Sequence, residues 1–111
     1  MGEPEKHVFT LLHSPREKQI VGAGRVELHV HGSQSLKEKR GVVRSITQRV
    51  RNRFNISVAE VGGQDTWQRV TLGLAVAAND ATTARQRLEQ AIDFIAELHL
   101  AELIDQEVEI L

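Results

Sequence analysis

Apolar residues recur at every second position in four segments and at every third or fourth position in two others. The order in which these periods alternate leaves few folds open. Val26, Leu28 and Val30 alternate with Arg25, Glu27, His29 and His31, the pattern of a half-buried strand that begins near Ile20. After Gly32, the run Ser35-Leu36-Lys37-Glu38 predicts a capping box, with the serine oxygen on a free backbone N–H and the glutamate reaching back to the cap residue. A helix follows from Leu36, with Leu36, Val42, Val43, Ile46, Val50 and Phe54 on one side. Ile56, Val58 and Ala59 continue as a second strand, Gly62-Gly63 punctuates it, and Val70, Leu72, Leu74 and Val76 alternate as a third. Asn79-Asp80 supplies cap chemistry for a second helix, whose Ala84, Leu88, Ala91, Ile92, Ile95 and Leu98 form a buried face. From about Leu103, Ile104, Gln106, Val108 and Ile110 alternate with Asp105, Glu107 and Glu109 as a fourth strand.

The order βαββαβ predicts an α+β, ferredoxin-like sandwich: a four-stranded antiparallel sheet with both helices on one face. A chain of 111 residues suits one such domain, here residues 20–111. Residues 1–19, with Pro4, Pro15 and a short apolar patch from Val8 to Leu12, read as a loosely ordered extension, or as a segment that lies along a sheet edge or docks on a neighbouring subunit. With no cysteine, disulfides, zinc–thiolate sites and thiol catalysis are excluded. No apolar run approaches the ~20 residues that span a bilayer, and the first residues lack the shape of a secretory signal, so a cytoplasmic protein without membrane association is expected.

Charge is divided along the chain. Between Ser35 and Phe54 seven bases stand against the single acid Glu38, whereas from Asp80 to Leu111 eight acids stand against Arg85 and Arg87. That separation implies an anionic partner for the basic side. The topology brings the start of the first helix and the turn from Gly62 to Trp67 to one pole. The predicted anion or nucleic-acid site there comprises Ser35, Lys37, Lys39, Arg40, Arg44 and Arg51 from the helix, with Gln64, Asp65, Trp67 and Arg69 from the turn. Cations in a first helical turn cost roughly 0.3–1 kcal/mol each against the macrodipole, which a bound phosphate would offset. A solvated basic face and a Trp67 that packs over the core end are the plainer alternatives.

Glu27, His29 and His31 share one face of the first strand and are weak candidate metal ligands, with Glu107 or Glu109 as a further donor if the fourth strand lies alongside in register; histidines that simply face solvent are the plainer reading, and no metal is assigned. No nucleophile elbow, Gly-rich phosphate loop or HExxH motif is present, so no catalytic residue and no cofactor are assigned. The open sheet face lacks the aromatic residues with which RNA-recognition modules stack bases. Its Thr71, Gly73, Ala75 and Ala77 instead suit close packing, which makes a homodimer through this face plausible.

The segments Arg25–His29, Ser35–Arg40, Arg51–Asn55, Ser57–Val61, Gln64-Asp65 and Trp67–Arg69 together resemble the YlxP-like family of small bacterial proteins over about residues 20–110. The resemblance implies a ferredoxin-like fold, a bacterial cytoplasmic protein and genes near those of translation and RNA processing, with no established biochemical role. The chain departs from the pattern in its first 19 residues and at Gly62-Gly63, where many relatives carry Asp-His. The function expected from all this is non-enzymatic binding of RNA or a ribosome-associated ribonucleoprotein. The alternatives are a protein-interaction or dimerisation module and, less favoured, a metal- or anion-binding enzyme.

Overall fold

The computed structural model describes residues 18–111, so the expected N-terminal extension lies, apart from Lys18 and Gln19, outside the described residues. The elements are β1 (Ile20–His29), α1 (Leu36–Arg53), β2 (Ser57–Gly62), β3 (Arg69–Ala78), α2 (Ala81–Glu97) and β4 (Glu102–Ile110). All strand pairs are antiparallel and the sheet order is β2-β3-β1-β4, which is the expected ferredoxin-like arrangement. Both helices pack on the face that carries Val26, Leu28, Leu72 and Leu74, and Ile46, Val50, Leu88, Ile92 and Ile95 close the core from above.

Local chemistry fixes the helix ends. Ser35 Oγ accepts the Glu38 N–H at 3.1 Å, and Glu38 returns its carboxylate to the N–H of Gln34 at 2.8 Å, one residue earlier than the capping box predicts. At α2, Asp80 accepts from the backbone N–H and the hydroxyl of Thr83 at 2.8 and 2.7 Å. The backbone bond from Thr83, then the hydroxyl bond, holds the Asp80 carboxyl below its ordinary value. A depressed carboxylate stabilises the fold above the ordinary aspartate value of about 3.9 and loses that contribution as pH falls through the folded-state value. Asp80→Ala is therefore expected to melt below wild type at neutral pH, and the gap should narrow in acid. A gap that stays constant down to the acid limit would show that the cap owes nothing to ionisation.

Two irregularities shape the strands. In the β2–β3 turn, Gly63 has φ 79°, and a Cβ there would stand 2.7 Å from the Arg69 carbonyl oxygen, so only glycine fits. In the β1–β4 ladder the register shifts between Glu27 and Leu28, so that Glu27 faces Asp105 but Leu28 faces Leu103. Ile104 is the extra residue of this bulge and is 57% exposed, which corrects the expectation that it continues the inward row of β4. The bulge instead turns the partly buried Leu103 onto the core. Gly63→Ala should cost about 1–3 kcal/mol through the left-handed conformation alone, measured by denaturant unfolding. An unchanged midpoint would mean that the turn can adopt another shape.

Candidate functional site

The expected convergence at one pole exists, and its centre is a buried ammonium. Lys39 is 0% exposed. Its Nζ donates to the carbonyls of Gly63 at 2.5 Å and Arg69 at 3.2 Å and to the Glu60 carboxylate at 3.3 Å, so each of its three protons has an acceptor. Thr66 Oγ1 lies against the same two carbonyls at 3.0 and 3.1 Å. This corrects the assignment of Lys39 to an external anion: the side chain pins the β2–β3 turn to the first turns of α1 and has no face toward solvent. The reason lies in helical spacing, since Lys39 precedes Val43, Ile46 and Val50 at intervals of four, three and four on the buried stripe.

Ser35 is committed to the helix cap, and Arg51 Nη2 donates to the Val58 carbonyl of β2 at 2.9 Å. Lys37, Arg40 and Arg44 remain exposed and form no salt bridge among the described residues. Spaced by three and four, they make one outward row about 10 Å long at 1.5 Å per residue. Gln64, Asp65 and Trp67 are exposed in the turn, with Trp67 53% accessible. Arg69 separates from this group. It follows the outward parity of β3 and meets Glu27 at 3.5 Å on the sheet face that carries no helix. The predicted set is thus divided by the sheet into a helix-side row and an open-face residue.

The open face near Arg69 holds a second constellation. His29 ends β1, and its register partners are Arg69 on β3 and Glu102 on β4. His31 Nε2 lies 2.7 Å from Glu102 Oε1 and 3.2 Å from His29 Nδ1, while His29 Nε2 faces Gln68 Oε1 at 3.4 Å. Glu27, expected to share this group, instead faces Arg69 and the Thr71 hydroxyl. Glu107, offered as a third donor, stands opposite Arg25 and Glu109 opposite Ala23. At about 3.3 Å per residue, Glu107 is some 13 Å along the sheet from His29. Glu102 was the residue missed, because the alternation of β4 does not disclose the bulge that aims it.

Replacing Lys39 with methionine keeps the stem but takes the cation from Glu60 and leaves the Gly63 and Arg69 carbonyls to Thr66 alone. Lys39→Met is expected to lose about 3–5 kcal/mol in denaturant unfolding, the scale for breaking a buried ion pair. A loss below about 1 kcal/mol, as for an exposed pair, would contradict the burial.

Residues 21–108 match the family described as "Protein of unknown function (DUF503)". The chain is 38% identical over 76 residues to the "Uncharacterized protein YlxP" of Bacillus subtilis (strain 168), an alignment that covers 68% of this chain and 83% of that protein. The YlxP-like resemblance carried by the sequence motifs is thereby borne out. Among solved structures, a chain described as "De novo designed protein Foldit4" aligns over 85% of this chain and 94% of its own, at 17% identity and a TM-score of 0.46. Among the described residues, no helix is long and apolar enough to cross a membrane.

Proposed function

We propose that this chain, which belongs to the DUF503 family of proteins of unknown function, is a non-enzymatic RNA or ribonucleoprotein binder of the bacterial cytoplasm. The observation that carries the reading is the outward row of Lys37, Arg40 and Arg44. Three cations stand on one helix face with no salt-bridge partner among the described residues, in a chain whose acids gather on α2 and β4. The amphipathic alternative for such a row, a membrane-surface helix, needs an exposed apolar face, and the apolar face of α1 is spent on the core.

Phosphates are the partners that such a row fits, since each base that neutralises a phosphate releases a condensed counterion and so adds an affinity that salt weakens. Trp67 supports a polynucleotide over a lone phosphate: its half-exposed indole at the same pole is a platform on which a base stacks for ~1–3 kcal/mol. Lys39 takes no part, and Arg51 contributes only what its bond to Val58 leaves free. Gln64 and Asp65 extend the polar surface beside the indole, where they would discriminate among bases rather than add affinity.

The test is fluorescence anisotropy of wild type and the Lys37→Glu, Arg40→Glu, Arg44→Glu variant with single-stranded and structured RNA at several salt concentrations. At roughly 0.7 per phosphate contact, the variant's plot of log affinity against log salt should be flatter by about 2. Trp67→Ala should weaken single-strand binding with little change of slope. Binding that ignores the reversals, or none at all, would sink the proposal. Concentration-dependent sedimentation in that case would turn attention to the open sheet face and a second copy.

A further inference from the structure

The three side chains His29, His31 and Glu102 bring one donor atom each to within 4.8 Å of one another. We infer that they form a binding site for one divalent metal ion of the zinc class, through His29 Nδ1, His31 Nε2 and a Glu102 carboxylate oxygen. The inference is independent of the RNA reading, since none of the three belongs to the α1 row.

The tautomers follow from the outer contacts. The Ser33 carbonyl can only accept, so the group that faces it at 3.2 Å is the amide nitrogen of Gln68. That leaves the Gln68 oxygen toward His29 Nε2, which must therefore be the N–H of the ring. In the neutral ring the lone pair of His29 is then on Nδ1, aimed at His31. With both rings neutral, a single proton on His31 Nε2 serves two acceptors, His29 Nδ1 at 3.2 Å and Glu102 Oε1 at 2.7 Å. Three lone-pair donors thus converge on a place that one proton fills. A cation substitutes for it once His31 carries its proton on Nδ1 instead.

The distances suit the exchange. Tetrahedral zinc with bonds of about 2.0–2.1 Å separates its ligand atoms by about 3.3 Å. The two histidine nitrogens are already there, and His31 and Glu102 need to part by only about half an ångström. The rings meet edge to face at 4.1 Å between centroids, so both nitrogens reach inward without stacking. Two imidazoles and one carboxylate favour zinc, cobalt or nickel over magnesium and calcium, which take oxygen ligands. The Gln68 contact is the outer hydrogen bond that orients a ligating histidine. Three protein donors leave a coordination position open. A cavity of about 380 Å³ lined by His31, His99, Leu100 and Glu102 adjoins it, with room for water or a small anionic ligand.

Isothermal titration of the full chain, stripped by chelator, with Zn2+ is expected to show one site that excess Mg2+ does not displace. Co2+ should give the intense visible absorption of a tetrahedral ion. His31→Ala and Glu102→Ala should each weaken binding by more than about 100-fold, and Gln68→Ala by about 10-fold, the outer-contact range. His7→Ala, His13→Ala should leave it unchanged. The two substituted ligands, His31 and Glu102, are exposed, and matched melting curves would confirm folding. Nitrogen NMR should report His29 protonated at Nε2 throughout and His31 switching its proton to Nδ1 on zinc binding. Absence of a zinc site, retention of affinity in the ligand variants, loss of it in the His7/His13 variant, or an unmoved His31 tautomer would each overturn the assignment.

Discussion

The pole of this molecule is organised around one ammonium taken out of water. Lys39 reaches from the buried stripe of α1 to the carbonyls of Gly63 and Arg69 and to Glu60, joining a helix to a turn that otherwise has little apolar material to hold it. Desolvating that charge is expensive, and an acceptor for each of its three protons is what makes it tolerable. The carbonyl of Gly63 is available because the residue occupies the left-handed region, and the Arg69 carbonyl approaches so closely that no Cβ could intervene. Helix, turn and glycine are therefore one arrangement, and the position of Trp67 and Gln68 beyond the turn depends on it.

The sheet then decides what the pole can present. Residues of alternating parity leave on opposite faces, so Val70 goes to the core while its neighbour Arg69 goes to the open face with Glu27 and His29. The cationic row of α1 looks outward on the helix side. Two surfaces of different chemistry, basic and histidine–carboxylate, consequently share a pole without sharing residues. The loop from Val30 to Ser35 borders both. It supplies His31 to one side and the Ser35 cap to the other, while the Ser33 carbonyl fixes the amide of Gln68.

Element order, helix caps and sheet topology were legible because they depend on periods of two and 3.6 and on cap residues adjacent in the chain. Lys39 was half legible. Its place on the Val43–Ile46–Val50 stripe can be counted in the sequence, but a lysine at such a position reads as surface until an acceptor set is known, and Gly63, Arg69 and Glu60 are 21 to 30 residues away. The separation of Arg69 from the helical cations was also implicit in strand parity. Grouping by pole alone overlooked it, since a pole has two faces.

Glu102 was hidden for a different reason. A continuous β4 ladder extended from Glu27 and Asp105 would set Leu103 opposite His29 on the open face, which would expose the leucine and send Glu102 to the helix side. One extra residue at Ile104 resolves both mismatches: Leu103 returns to the core, and the carboxylate before it swings to the histidines. Exposing Ile104 costs some apolar burial, which the partial burial of Leu103 against the core offsets. What remains as its net effect is the placement of a carboxylate 2.7 Å from an imidazole. Bulges re-aim side chains in this way near binding sites. Here a one-residue shift in the ladder sets the place of that carboxylate at the sheet's end.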